Sequence, residues 1–554
     1  MSDLSSSNRL RRRPGASPPC GPLVLLILDG VGIGRGDAYD AVAAAHTPNL
    51  DRLHREFPHR ELRAHGVAVG LPSDGDMGNS EVGHNILGAG RIFDQGAKRV
   101  DSALSVGELW QTPAWKEVVG AAARGGTVHF IGLLSDGNVH SNIDHLVALL
   151  SRATKDGVRR VRIHVLFDGR DVPDRTAETY VARLDQAIET VRTAGVDCAI
   201  ASGGGRMTTT MDRYGADWSM VERGWKAHVL GQATPARTPG EAIERSRARK
   251  PGLSDQLIDS FTIVDDEGAP VGPVEDGDAV LVFNFRGDRV IEICQAFTDP
   301  DFTAFDRQRV PQLTFVGMTL YDGDLRIPDH YLVHPEKVAD TVSQLLAEAD
   351  VPQFACAETQ KFGHVTYFWN GNRSQRFGPL ETYVEIPSDD VPFDERPWMK
   401  SAETADTVIT AIEGGDFPFI RANFAGGDMV GHTANFASTV LAVEAIDLAI
   451  GRIDAAVRER SGCLVITADH GNADDKVERS KAGEPLVDQA GEPIWRTAHS
   501  LNPVDFVVAD HDARGITMRD DLPAAGLANV AATILNLLGF EAPAFYEPSL
   551  VHVP

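Results

Sequence analysis

A single hydroxyl, Ser80, stands in a stretch poor in bulky neighbours, Met77-Gly-Asn-Ser-Glu-Val-Gly-His-Asn-Ile-Leu-Gly-Ala-Gly-Arg91. Glycines at 78, 83, 88 and 90 admit close approach of a ligand and positive φ, so Ser80 reads as a nucleophile in a glycine-punctuated loop. Taken alone, the stretch reads equally as a structural turn. It lacks the G-x-S-x-G spacing of a nucleophile elbow, which makes a cation the better candidate for activating the hydroxyl. Ligands for one are present. Asp428-Met-Val-Gly-His432 places a carboxylate and an imidazole four apart, Asp469-His470 follows, His499 stands in Thr-Ala-His, and Asp29 lies far upstream. Each histidine by itself reads as an ordinary satisfied side chain. Together, three carboxylates and three imidazoles suffice for two divalent ions, and oxygen and nitrogen donors without thiolate suit Mn²⁺, Zn²⁺ or Mg²⁺.

A second set is cationic: Arg170, Arg206, Arg213, Arg286, Arg289 and Lys361, all near predicted strand ends. Guanidinium forks grip phosphate and carboxylate in a bidentate way, which points to a small organic acid phosphate as guest. Asp171, beside Arg170, reads either as a proton shuttle or as a structural ion pair. His140 closes Ser-Asp-Gly-Asn-Val-His in the same region.

Positioning these groups requires strands that stop where the chemistry begins. Leu23 to Leu28 is a continuous apolar run ending at Asp29, the pattern of a buried parallel strand with a carboxylate at its carboxyl end. The pattern recurs. Runs from Val128 to Leu134, Val161 to Phe167, Cys198 to Ala201 and Ala279 to Phe285 lead to His140, Asp168 to Asp171, Arg206, and Arg286 to Arg289. A further set, Gln353 to Ala357, Phe417 to Ala425 and Gly462 to Ala468, leads to Lys361, Asp428 and Asp469-His470. Helical patterns alternate with the strands, as at 176–192, 339–349, 402–413 and 437–458. Asp29 and Ser80 find metal-binding partners only in the C-terminal set, so the expectation is an α/β protein of two α/β domains, one inserted in the other. The boundaries fall at 23–94 plus 336–554 for the discontinuous metal domain and 95–335 for the insert. The glycines between 30 and 36 lack the G-x-G-x-x-G spacing, which excludes a dinucleotide loop. Residues 478–492, rich in charge and glycine, read as a surface loop ahead of His499.

Composition narrows the class. The 554 residues are 42% hydrophobic and 24% charged, an ordinary globular balance for about two to four domains. A net charge of −26 argues against nucleic acid or anionic membrane as partner, so an anionic substrate must be drawn by a local cluster. Five scattered cysteines without C-x-x-C fit a reducing cytoplasm better than a disulfide framework or thiolate zinc site. Residues 1–22, with Arg11-Arg-Arg13 and several prolines, read as a disordered extension, since the apolar run after them is too short for a signal or membrane segment.

Six motifs carry a resemblance: Leu-Asp-Gly-Val-Gly at 28–32, Met-Gly-Asn-Ser-Glu-Val-Gly-His at 77–84, Ser-Asp-Gly-Asn-Val-His-Ser at 135–141, Asp-Gly-Arg-Asp-Val-Pro at 168–173, Asp-Met-Val-Gly-His at 428–432 and Thr-Ala-Asp-His-Gly-Asn at 467–472. Over nearly the whole chain after residue 22, the sequence resembles the cofactor-independent (2,3-bisphosphoglycerate-independent) phosphoglycerate mutases of the alkaline phosphatase superfamily. The resemblance implies a discontinuous alkaline-phosphatase-like metal domain carrying a substrate-binding insert. It implies one metal on Asp428, His432 and His499 and a second on Asp29, Ser80, Asp469 and His470, with Mn²⁺ favoured. Ser80 would carry the phosphoryl group as 3-phosphoglycerate and 2-phosphoglycerate interconvert, a glycolytic isomerisation. His140, Arg170, Asp171, Arg206, Arg213, Arg286, Arg289 and Lys361 match substrate-binding positions, with Asp171 and Lys361 also catalytic. Met-Asp-Arg213 stands one residue further from Arg206 than the family spacing, and the stretch from Asp469 to His499 is longer than usual. The rival reading is a metal-dependent phosphomonoesterase; arginines spread over four strands of the insert favour retention of the dephosphorylated acid. A cytoplasmic monomer is expected.

Overall fold

Apolar runs that end in polar groups become strands whose ends carry the chemistry, and the computed structural model shows where each run starts and stops. It describes residues 10–554 except 16, 72, 213–216, 322–325, 334–337, 481, 489 and 523. The chain divides into two compact units, Met1–Asp94 with Lys337–Pro554, and Gln95–Glu336. In chain order the first unit begins with β1 (Leu23–Leu28) and β2 (His59–Leu62). The second supplies β3 (Val128–Leu134), β4 (Arg160–Phe167), β5 (Asp197–Gly205), β6 (Thr234–Ala236), β7 (Phe261–Ile263), β8 (Ala279–Val282), β9 (Thr314–Thr319) and β10 (Tyr331–Val333). The chain then returns to the first unit with β11 (Gln353–Glu358), β12 (Glu381–Ile386), β13 (Phe419–Phe424), β14 (Cys463–Thr467) and β15 (Val504–Asp510).

Among the described residues the first unit's sheet runs β12-β11-β13-β1-β14-β15-β2, and the second's runs β10-β9-β8-β3-β4-β5-β7-β6. β1 lies between β13 and β14, parallel to both, and all six of its residues are buried, which is why it reads as unbroken apolar sequence. Antiparallel pairing enters where β15 meets β14 and β2, and where β7 meets β5. The helix Phe436–Glu459 keeps Ile446, Ile450, Ile453 and Val457 buried at three- and four-residue spacing, one apolar stripe laid on the first unit's core.

Four details depart from the sequence expectation. β5 continues through the glycines to Gly205, because its ladder with β4 runs on to the pair Phe167–Gly205. β8 stops at Val282, where the side chain of Asn284 takes over and accepts the Leu133 N–H at 2.9 Å. The described part of the N-terminal segment is ordered rather than disordered: Arg13 N–H donates to Gly539 O, Glu541 N–H to Arg11 O, and the Arg12 guanidinium lies 4.2 Å from the centroid of the Phe540 ring. Residues 1–9 lie outside the described residues. Finally, the stretch before His499 folds back on itself. Bridges Val477–Trp495, Arg479–Pro485 and Val487–Pro493 join successive passes, and Arg496 N–H donates to Lys476 O at its foot.

Candidate active site

Ser80 does not sit in a loop. It opens the helix Ser80–Ala89, capped by the Asn79 side chain, which accepts the Val82 N–H at 3.1 Å. Among glycines 78, 83, 88 and 90 only Gly90 has positive φ. Gly83 is needed for closeness instead: a Cβ there would lie 2.6 Å from the Asp469 carbonyl oxygen, so the helix carrying Ser80 packs directly on the turn after β14. Gly30 serves the same end after β1, with φ of +73° and Asp428 Cα only 2.7 Å from where its Cβ would stand.

These contacts bring Asp29, Ser80, Lys361, Asp428, Asp469 and His470 together at the carboxyl ends of β1, β11, β13 and β14, all buried. Ser80 Oγ lies 3.0 Å from Asp29 Oδ1 and 3.0 Å from His470 Nε2. Lys361, on the short helix Thr359–Gly363 after β11, donates to Ser80 Oγ at 2.6 Å, Asp29 Oδ1 at 2.6 Å and Asp428 Oδ2 at 2.7 Å. Burial opposes ionisation of Asp29, but Lys361 and His470 outweigh it and hold the carboxyl well below its ordinary range. Burial is likewise overcome at Asp428 by His432 and Lys361. His470 goes the other way, up to about 9, because Asp469 and Asp29 favour the imidazolium against burial.

Three features of this cluster fit divalent cations. His432 Nδ1 lies 2.6 Å from Thr497 O, and His499 Nδ1 2.7 Å from Gly78 O; a carbonyl only accepts, so both rings carry their proton on Nδ1. Both Nε2 atoms then converge, 3.1 Å apart and 2.9 and 3.1 Å from Asp428 Oδ1, close enough for one cation to meet all three groups. Charge says the same. Asp29, Asp428 and Asp469 bury three carboxylates against the Lys361 ammonium and the His470 imidazolium, leaving a negative charge that a cation offsets. The donor set is imidazole, carboxylate and hydroxyl, which suits a divalent metal.

In the second unit the structure gathers His140, Arg206, Asp171, Arg286 and Arg289 around two carboxylates, Asp168 and Asp288. Arg206 is fully buried and donates to Asp168 Oδ1 at 2.7 Å and to Asp171 Oδ2. Burial pushes Asp168 up, and Asp171 pushes it further. The same burial at Asp171 is outweighed chiefly by Arg206, with help from Arg170, which keep it an anion. His140, pushed down to about 3 by burial and by Arg206, is a neutral imidazole 3.4 Å from Asp288 Oδ1. Asp288 Oδ1 also pairs with the Arg286 guanidinium, 3.2 Å from its Nε. Arg289 Nη1 donates to Met211 O at 2.8 Å, and Arg170 is half-buried. Arg213 lies outside the described residues. Arg206→Ala would strand Asp168 and Asp171 as unpaired buried carboxylates, so we expect a loss of about 3–5 kcal/mol. Urea denaturation checks this: the midpoint falls, and Asp168→Asn in the same chain restores part of it.

The sequence reading passed over His84 as a member of the cluster. Asn423 Nδ2 donates to Asp29 Oδ2 at 2.7 Å and faces His84 Nε2 at 3.1 Å, so His84 carries its proton on Nδ1, 2.8 Å from Ser80 O and 3.2 Å from Asp469 Oδ2. It is a donor that ties the Ser80 backbone to Asp469, rather than a ligand. The signal was its place four residues after Ser80, one helical turn on, which a loop reading hides.

Comparison with known proteins agrees with this geometry. The Metalloenzyme superfamily model matches residues 21–542. A 2,3-bisphosphoglycerate-independent phosphoglycerate mutase of Trypanosoma brucei brucei is 51% identical over 536 residues, covering 96% of this chain and 97% of the relative. One from Ricinus communis is 48% identical and covers 96% of each. A structure of Leishmania mexicana phosphoglycerate mutase at low cobalt concentration superposes with a TM-score of 0.96 at 49% identity, covering 99% of this chain and all of that one. With carboxylates and imidazoles assembled around Ser80, the chain belongs to the 2,3-bisphosphoglycerate-independent phosphoglycerate mutases of the Metalloenzyme superfamily.

Proposed function

We propose that the chain interconverts 3-phosphoglycerate and 2-phosphoglycerate through a phosphoserine at Ser80, without 2,3-bisphosphoglycerate. The carrying observation is the convergence on Ser80 Oγ of Asp29, His470 and Lys361, each within 3.0 Å. Family membership makes it a divalent-metal isomerase. Asp428, His432 and His499 would hold one ion and Asp29, Ser80, Asp469 and His470 the other, with Mn²⁺ favoured by resemblance to the family. Bound there, divalent ions supply stabilisation of the serine alkoxide and of charge on the phosphoryl oxygens.

The chain's own groups do the rest. Ser80 Oγ, whose proton points to Asp29, forms the new O–P bond as the bond from phosphorus to the substrate's 3-oxygen breaks. Lys361 donates toward the same oxygen and neutralises charge built up there. In the second unit, Asp171 is an anion and so can take a proton from a glycerate hydroxyl or return one. Arg170, Arg206, Arg213, Arg286 and Arg289 are assigned to hold the glycerate carboxylate, with neutral His140 as a hydrogen-bonding partner. The phosphoryl group then passes from Ser80 to the 2-oxygen, and the serine is regenerated.

A paired assay of isomerisation and phosphate release tests this reading. Arg286→Ala is expected to raise the ratio of phosphate release to isomerisation, because glycerate is no longer retained, whereas Asp428→Ala is expected to depress both together. Equal loss of the two activities in Arg286→Ala would remove the retaining role. Dominant phosphate release by the unaltered enzyme would turn the assignment to a phosphomonoesterase. Five free cysteines and a charge of −26 support a cytoplasmic monomer. Among the described residues no helix is long and apolar enough to cross a membrane.

A further inference from the structure

Three histidines in the second unit take no part in the site above, yet they are fully buried and joined in one unbroken hydrogen-bonded chain. Asp278 Oδ2 lies 3.0 Å from His129 Nε2 on β3; His129 Nδ1 lies 2.9 Å from His164 Nε2 on β4; His164 Nδ1 lies 2.7 Å from Ser202 Oγ on β5. Ser202 Oγ lies 2.7 Å from His228 Nδ1, at the end of the helix Trp218–His228, and His228 Nε2 lies 2.8 Å from Thr210 Oγ1. One carboxylate sets the direction of every bond. Asp278 only accepts, so His129 is protonated on Nε2 and receives on Nδ1. His164 must then donate from Nε2 and receive from the Ser202 hydroxyl. Ser202 in turn receives from His228 Nδ1, which leaves His228 Nε2 to receive from Thr210. Burial lowers the pKa of all three rings, His228 to about 3, so each is neutral and holds the single proton this order requires.

The chain ends on a strained residue. Thr210 has φ of +70°, a left-handed backbone that a β-branched side chain avoids. Its N–H donates to Met220 O at 2.9 Å, and a Cβ on Gly224 would lie 2.1 Å from its Oγ1, so the helix that carries His228 also closes over it. The next carbonyl, Met211 O, receives Arg289 Nη1. We propose that the buried chain Asp278–His129–His164–Ser202–His228–Thr210 is a positioning network that holds the left-handed backbone at Thr210, and through Met211 fixes the Arg289 guanidinium for substrate. The assignment of Arg289 to substrate rests on the proposed function; the order of protons does not.

Two measurements test it. Selectively ¹⁵N-histidine-labelled enzyme is expected to show neutral rings protonated on Nε2 at His129 and His164 and on Nδ1 at His228; any other tautomer overturns the network. In steady-state assays with 3-phosphoglycerate, Thr210→Val, which keeps the shape and removes the hydroxyl, is expected to raise KM about tenfold with kcat changed less than twofold, and Thr210→Ser to restore the KM. Arg289→Ala should raise KM too, and adding Thr210→Val to it should cost nothing more. An unchanged KM in Arg289→Ala overturns the substrate reading of that arginine and the network's purpose with it. A raised KM in Arg289→Ala with fully additive effects leaves that reading standing and overturns the network alone.

Discussion

Ser80→Ala is expected to abolish isomerisation, by about 10⁴-fold or more, while the protein melts within a few degrees of the unaltered enzyme. The size follows from what is removed. Ser80 supplies the hydroxyl that meets both Asp29 and Lys361, so without it the phosphoryl group loses its acceptor on the protein. The fold keeps its supports, because the helix that Ser80 begins is capped by Asn79 and seated by Gly83 against the turn after β14. Purified variant, assayed with saturating divalent metal, decides the matter. Turnover near that of the unaltered enzyme would rule out the phosphoserine route.

Removal of metal is expected to have an effect as large, and its pH dependence carries a sign. Chelation takes activity to background, and a divalent ion restores it. In the metal-free protein His470 is held protonated up to about pH 9 by Asp469 and Asp29 against burial, yet a ligating imidazole must be neutral. Each ion bound at His470 therefore displaces a proton, and apparent affinity falls about tenfold per pH unit below 9. Stability follows. A histidine whose folded pKa is raised stabilises the metal-free protein fully below about pH 6.5, and that contribution fades as pH rises through 9. Metal bound to the folded state adds stability that grows with affinity, so the gap in Tm between loaded and metal-free enzyme should widen from pH 6.5 to 9. Melting curves over that range check it; a gap that narrows would place His470 outside the ligand set.

Much of this arrangement was legible in the sequence because parallel strands announce themselves. Asp29, Asp428 and Asp469 each follow an apolar run, and such runs end where a doubly covered sheet meets its ligands. The helix at Ser80 was not legible: glycines at 83, 88 and 90 lower intrinsic helicity, and what restores it is tertiary, the close seat of Gly83 on Asp469. Asp168 and Asp288 were visible as residues but not as partners, since only the fold brings the Arg206 and Arg286 guanidinium groups onto them. The buried histidine chain left no mark at all. Its three histidines come from two strands and a helix and lie up to 99 residues apart, His129 to His228, and no spacing rule links them.

The self-paired stretch ahead of His499 has an evolutionary meaning. Its ends are joined at Lys476 and Arg496, and the Arg496 guanidinium reaches on to the His499 carbonyl at 2.6 Å, so the imidazole's position is settled at the foot of the stretch and not along it. Residues gained or lost between Arg479 and Pro493 change only the length of a closed excursion, and doubling such a length costs about 0.6 kcal/mol in closure entropy. The length of this stretch can therefore change without moving the His499 imidazole.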